Sequence, residues 1–242
     1  MTEFGARPRH LMPETFNPYL SALADLFFPQ RCVGCGQRAS DVLCRGCFEA
    51  LPGIGRPVCA RCGAPTAFET FACDGCRGVD FGFESARAPL RYEGVGAEVV
   101  HALKYGGYTR VAGRLAAPLM VGALDRGERF DAVVPVPLHR SRLRRRGFNQ
   151  AELLARGVAA GMNAPVSDKL RVVRKTRDQV ELSAAGRRSN VEGAYAVRGG
   201  ARGKILLVDD VFTTGATASS CAETLLRAGA DEVHAVTLCR TC

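Results

Sequence analysis

Residues 204–217, KILLVDDVFTTGAT, leave few folds open. Ile205, Leu206, Leu207 and Val208 form an apolar run of the length and type found in a strand buried on both faces. Asp209 and Asp210 follow directly, and then the small, hydroxyl-rich turn Thr213-Thr214-Gly215-Ala216-Thr217. Beyond it, Ala218, Cys221, Ala222, Leu225 and Leu226 fall at helical spacing. The order is strand, acidic pair, tight turn, helix. A turn that feeds a helix N-terminus aims free backbone N–H groups and the positive end of the helix dipole at its contents, which makes a phosphate cradle. Acids at the C-terminal end of such a strand lie where open α/β sheets bind ligands. Beside a phosphate they suit sugar hydroxyls or a divalent cation. Neither a G-x-x-x-x-G-K-[ST] loop nor a G-x-G-x-x-G turn is present, so nucleotide sites of those kinds are not expected.

Cysteine spacing is the second constraint. Eight of the eleven cysteines lie between Cys32 and Cys76, all in C-x-x-C pairs. One block holds Cys32, Cys35, Cys44 and Cys47; a second, similar block holds Cys59, Cys62, Cys73 and Cys76, an internal repeat. Two thiolate pairs make a closed tetrahedral site, which is structural rather than catalytic. Such a site holds together a segment too small for a core of its own. A redox dithiol, a disulfide scaffold and an iron–sulfur cluster are the competing readings of these thiols, and zinc is favoured over them. One or two Zn²⁺ ions are expected, with sequential pairing of the knuckles as the default and crossed pairing left open. Gly34, Gly36 and Gly63 sit where a knuckle turn needs a residue free of Cβ. Cys221, Cys239 and Cys242 stand apart and are expected to be free.

The formal charge of +9 points to acidic partners, phosphates or nucleic acid. No apolar run is long enough to span a membrane, and residues 1–20 do not read as a signal peptide. Residues 19–28 (YLSALADLFF) have the pattern of an amphipathic helix that packs on its own protein. After the metal module, residues 87–94 read as a strand and turn. A helix with Val99, Val100 and Leu103 on one side follows, ending at Gly106-Gly107 with Lys104 in its last turn. Lys104 either satisfies the helix C-terminus or contacts a phosphate. Residues 110–125 read as a further helix that Pro118 bends.

Residues 131–150 (DAVVPVPLHRSRLRRRGFNQ) read as a strand ended by Pro135 and Pro137, then a loop carrying Arg140, Arg142, Arg144, Arg145 and Arg146, then a helix. Guanidinium groups in such a loop fit a diphosphate, a nucleic-acid backbone or a solvated face. Residues 171–197 begin and end as strands around a long polar segment with Gln179, Arg187 and Arg188, the kind of loop that serves as a lid. Residues 232–240 close the sheet as its last strand. Phe68, Phe71, Phe81 and Phe83 cluster around the second cysteine block, either as base-stacking platforms or as that block's small core.

The stretch 204–217 resembles the phosphoribosyl pyrophosphate (PRPP) motif of type I phosphoribosyltransferases. With the paired knuckles, ALKYGG, VPVPLHRSRLRRRGFNQ and RDQVELSAAGRRSNV, all in order, the chain resembles the ComF family of competence proteins. The resemblance implies an α/β fold: a type I phosphoribosyltransferase-like, mainly parallel sheet with flanking helices, preceded by a double zinc ribbon. The parts would be an N-terminal helix or tail over 1–29, the ribbons over 30–80 and the phosphoribosyltransferase-like domain over 86–242. It also implies PRPP bound with Mg²⁺, Asp209 and Asp210 as the catalytic acids on the ribose hydroxyls, and Thr213, Thr214, Gly215, Ala216 and Thr217 around the 5′-phosphate. Pro137, Leu138, His139 and Arg140 would meet the pyrophosphate. Gln179, Arg187 and Arg188 would belong to a closing loop. The family's link to natural competence implies a cytoplasmic protein handling incoming DNA, with single-stranded DNA and competence or helicase proteins as partners. Two functions are then expected to compete. One is phosphoribosyl transfer to an acceptor that no stretch of the sequence specifies. The other is a non-catalytic PRPP- or nucleotide-sensing module that holds single-stranded DNA, with Arg142, Arg144, Arg145 and Arg146 as candidate contacts, or a competence partner protein.

Overall fold

A computed structural model describes residues 30–174 and 193–242; the helix expected over 19–28 lies outside the described residues. The strands are β1 (Ser85–Arg87), β2 (Leu90–Arg91), β3 (Ala132–Pro135), β4 (Leu170–Val172), β5 (Tyr195–Val197), β6 (Lys204–Phe212) and β7 (Glu232–Arg240). A parallel sheet runs in the order β1-β7-β6-β3, with β2 following β1 along the same edge of β7. β4 and β5 form a separate antiparallel pair. The last strand in the chain is thus internal to the sheet, not its edge, which is why every residue of β7 after Glu232 is buried.

The apolar run of β6 divides its side chains between two cores. Leu206 and Val208 enter one and Ile205 and Leu207 the other, as successive side chains of a strand must when both faces of a parallel sheet are covered. The first face carries α2 (Gly94–Tyr105), α3 (Ala117–Ala123) and α5 (Gln150–Met162), through Val99, Val100, Leu103, Met120, Leu154 and Val158. The second carries α6 (Ala216–Arg227), through Ala218, Cys221, Ala222 and Leu225. The helix expected over 110–125 runs unbroken from Arg110 to Ala123, and its irregularity is a π-helical turn over Ala112–Ala116 that leads directly into α3 just before Pro118.

The first cysteine block ends in short α1 (Arg45–Glu49), which carries Cys47, and the second in a 3₁₀ turn at Asp74–Cys76. Pairing within each block is sequential: the sulfurs of Cys32, Cys35, Cys44 and Cys47 lie within 4.8 Å of one another, as do those of Cys59, Cys62, Cys73 and Cys76. Separations of 3.8 Å (Cys35–Cys44), 3.9 Å (Cys59–Cys76) and 3.7 Å (Cys62–Cys73) are far too long for disulfides. They match the edge of a tetrahedron with metal–sulfur bonds of about 2.3 Å, so each tetrad fits one Zn²⁺. The repeat extends to the backbone: Cys44 N–H donates to Cys32 Sγ and Cys73 N–H to Cys59 Sγ, both at 3.3 Å. Burial would raise the Cys32 and Cys59 thiols. The backbone N–H groups around them outweigh it and bring them down to about 6 and about 7, toward the thiolate a metal needs. Gly63 requires its lack of a Cβ twice over, with a φ of 69° and the Ala86 carbonyl oxygen 2.5 Å from where a Cβ would stand. Gly34 has no left-handed backbone; it is small because Cys47 packs on it.

Neither block has an independent core. Cys32 and Leu43 are buried in the first sheet core, while Cys59, Cys62, Cys76, Phe81 and Phe83 are buried in the second. The aromatic cluster therefore splits: Phe81 and Phe83 are core, and Phe68 and Phe71 are exposed. Removing the metal with a chelator under reducing conditions is therefore expected to lower the melting of the sheet as well as the ribbons. Amide hydrogen exchange would show α6 and β7 losing protection together with residues 59–76; unchanged protection of α6 and β7 would disprove this coupling.

Candidate functional site

The site forms at the C-terminal ends of β3 and β6. Asp209 and Asp210 are adjacent, yet pleating sends them to opposite faces of the sheet. Asp210 turns to the α2 face, where its Oδ2 lies 3.1 Å from the Lys104 ammonium in a nearly dry ion pair. Burial would depress the lysine, but Asp210 overrides it and keeps the ammonium charged. Lys104 thus neutralises the deeper acid. Asp209 turns to the α6 face, near Tyr195 and Cys221, and accepts the Asp210 N–H at 2.8 Å. Burial, with the Asp210 charge beside it, pushes the Asp209 carboxyl up to about 7, against the pull of the Asp210 N–H, Lys104 and Arg146.

Thr213, Thr214 and Gly215 make the turn, and α6 begins at Ala216. Gly215 caps the helix at φ 77°, and a Cβ there would stand 2.8 Å from both the Phe212 and the Phe81 rings. Thr214 Oγ1 accepts the Ala216 N–H at 3.4 Å. The turn is braced from behind. Phe83 meets Phe212 edge to face, the Arg240 guanidinium lies 5.2 Å from the Phe212 ring centroid, and the same Arg240 donates to the Cys62 carbonyl of the second cysteine block. Arg240, Tyr105 and Tyr195 are site-supporting residues that motif reading missed; the only trace of Tyr105 was the KYGG segment ending α2.

Pro137, Leu138 and His139 form the loop after β3, but the arginine run is a helix, α4 (Arg140–Arg146), rather than a loop. His139 is its N-cap, Nδ1 accepting the Ser141 N–H at 3.2 Å, and Gly147 in the left-handed region stops it. Helical spacing separates the arginines. Arg140, Arg144 and Arg145 are exposed, while Arg146 turns inward to donate to Gln150 and to lie over the Tyr105 ring at 5.3 Å. Arg142 is half-buried. Pro137, Leu138, His139 and Arg140 line a cavity of about 530 Å³ closed on its far side by Leu170, Val172, Arg171 and Arg198 of the β4–β5 hairpin. The expected closing-loop residues Gln179, Arg187 and Arg188 lie outside the described residues. The strand ends thus offer the N-terminal N–H groups of α6 with the threonine hydroxyls, the partly exposed Asp209 carboxylate and a cavity lined by Arg140, Arg171 and Arg198, groups suited to a phosphorylated ligand that also carries hydroxyls.

Two outcomes follow from the acid pair. A carboxyl held above its unfolded value favours the folded state fully only below about pH 4, and the advantage is lost as pH rises toward 7. Asp209→Asn, whose Oδ1 can still accept the Asp210 N–H, is therefore expected to stabilise the ligand-free protein by roughly 1–2 kcal/mol at pH 8, with the gain fading toward pH 4. A pH-independent effect in denaturant titrations would refute the electrostatic origin. Lys104→Met strands the buried Asp210 charge and should cost roughly 3 kcal/mol at pH 8, with most of that recovered in an Asp210→Asn background. Additive losses in the double variant would show that the two groups do not interact.

Comparison with known proteins agrees with the ribbons and extends over most of the chain. Residues 23–77 match the double zinc ribbon domain family. The DNA utilization protein YhgH of Salmonella typhimurium is 34% identical over 76% of this chain and 84% of its own length. Competence protein F of Haemophilus influenzae is 27% identical over 88% of this chain and 98% of its own, and Competence protein ComFC of Streptococcus pneumoniae 28% over 87% and 100%. Among solved structures, the UMP synthase of Leishmania donovani is similar at a TM-score of 0.32 and 19% identity, over 57% of this chain and 24% of that one. The ribbon tetrads, the sheet with its acidic strand end and the near full-length match to these relatives together place the chain in the ComF family.

Proposed function

We propose that the ends of β3 and β6 bind PRPP with Mg²⁺ and support transfer of its phosphoribosyl group to an acceptor, in a cytoplasmic protein that serves DNA uptake and natural transformation. The observation that carries this reading is the three-residue turn from the acidic strand end into α6, rigidly backed by Phe81 and Phe212 and closed by Gly215. Thr213, Thr214, Gly215, Ala216 and Thr217 would hold the 5′-phosphate through backbone N–H groups and hydroxyls. Asp209 and Asp210 would accept from the ribose hydroxyls. The diphosphate would extend past Pro137, Leu138 and His139 into the cavity where Arg140, Arg171 and Arg198 supply cations. Asp209, the acid not ion-paired to Lys104, is the carboxylate suited to Mg²⁺, which typically binds one or two carboxylates together with ligand phosphates. That ion supplies charge neutralisation for the leaving diphosphate. Departure of diphosphate puts positive charge on the ribose and negative charge on the leaving group, so carboxylates below the sugar and cations around the diphosphate both favour the transition state. The role in DNA uptake rests on relatives named Competence protein F and ComFC.

A second reading is favoured by the surface. Arg140, Arg144 and Arg145 on α4 and the exposed rings of Phe68 and Phe71 offer the cations and stacking faces that single-stranded DNA uses, in a module that senses PRPP or a nucleotide without consuming it. Thermal unfolding with PRPP and Mg²⁺ tests the ligand. At about a hundred times its dissociation constant PRPP should add about 2.7 kcal/mol of stability to the wild type, and much less to Asp209→Asn. No shift in the wild type would eliminate the PRPP reading. A shift without metal-dependent PRPP loss would favour the sensor.

A further inference from the structure

A second cavity, of about 330 Å³, shares no residue with the site above. It opens where the segment between the two cysteine blocks meets β1 and the C-terminal end of α3. Its polar wall holds three guanidiniums, those of Arg56, Arg87 and Arg126. Arg87 is fixed in place: its Nη1 donates to the Ala60 and Ala86 carbonyls at 2.8 and 3.0 Å, its Nη2 lies 3.2 Å from Asp125 Oδ2, and its side chain is 12% exposed. Its Nε–H is buried without an acceptor. Arg56 binds the other oxygen of Asp125. Burial would raise the Asp125 carboxyl, but the two arginines outweigh it and hold it below the usual carboxylate range, so it carries a full negative charge. Arg126 is exposed and makes no ion pair among the described residues.

Three cations against one anion leave two positive charges uncompensated around a concave space. The lining also includes the apolar Ile54, Val58 and Leu124. Guanidinium forks match phosphate oxygens, and the volume lies at the lower end of the range of small-ligand sites. A nucleic-acid strand would need a long groove; an open-mouthed cavity of this size takes one charged group and a ring-sized body.

We propose that this cavity binds a phosphate monoester of metabolite size, with its dianion at Arg56, Arg87 and Arg126 and its organic body against Ile54 and Leu124, so that the ligand bridges the ribbon connection and the sheet domain. Gly63 and Gly122 line the cavity and report on it directly, while Gly215 reports on the β6–α6 turn. The test is a titration of the full zinc-loaded chain, labelled with [¹⁵N]glycine, with phenyl phosphate as probe. Saturable shifts of the Gly63 and Gly122 amide signals are expected, weakened about tenfold in Arg126→Glu, with any response at Gly215 unchanged by that variant. Arg126 is exposed and makes no hydrogen bond or ion pair among the described residues, so its replacement is expected to leave the fold intact. Shifts confined to Gly215, no saturable shift at Gly63 and Gly122, or the same affinity there in Arg126→Glu would each overturn the proposal.

Discussion

The rest of the structure depends on the way two metal-binding modules without cores of their own complete the cores of a parallel sheet. The first block contributes Cys32 and Leu43 to the face that holds α2, α3 and α5. The second contributes Cys59, Cys62, Cys76, Phe81 and Phe83 to the face that holds α6. Each tetrad fixes a short loop that burial alone could not order, because so few residues bury too little apolar surface to offset their conformational entropy. A ribbon in a two-domain protein is often a separate appendage. Here its thiolate loops are part of the wall against which the candidate site is built.

Arg240 shows the consequence at atomic scale. It is buried at the end of β7, it donates to the carbonyl of Cys62, and its guanidinium lies over Phe212. Phe212 and Phe81 in turn leave no room for a side chain at Gly215. The chain of contacts from knuckle to turn is short and made of packed, well-partnered groups. A phosphate-binding turn profits from that rigidity, since donors that are already in place do not pay for ordering when the ligand arrives.

The acid pair carries the opposite character. Two carboxylates at one strand end are tolerated because pleating separates their side chains and each face offers a different remedy. On one face Lys104 supplies a full counter-charge to Asp210. On the other, Asp209 has an N–H donor and more distant cations, and it remains poorly compensated. Uncompensated charge beside a phosphate-type cradle is a common mark of a site whose stability is spent on binding.

The β6–α6 unit and the eight metal-type cysteines could be read from the chain, because each is a local pattern: a run of apolar residues, a C-x-x-C spacing, a glycine at a forced turn; the mainly parallel α/β class came from the family resemblance. The sequential pairing of the tetrads, left open by spacing, was decided by the path between them. The arginine run was read as a loop because nothing in RSRLRRRG betrays the His139 cap. Charge density said nothing about direction, so Arg146, which turns in to Tyr105 and Gln150, looked the same as its exposed neighbours. Neither local explanation of Lys104 names its partner Asp210, which is 106 residues away in the chain. By itself the sequence determined the β6 strand, the turn and helix after it and the metal knuckles, since those follow from short-range periodicity and ligand chemistry. Only the tertiary structure decided which side chains meet, because contacts such as Lys104 with Asp210, Arg240 with Cys62 and Arg87 with Asp125 depend on long-range packing that no local pattern encodes.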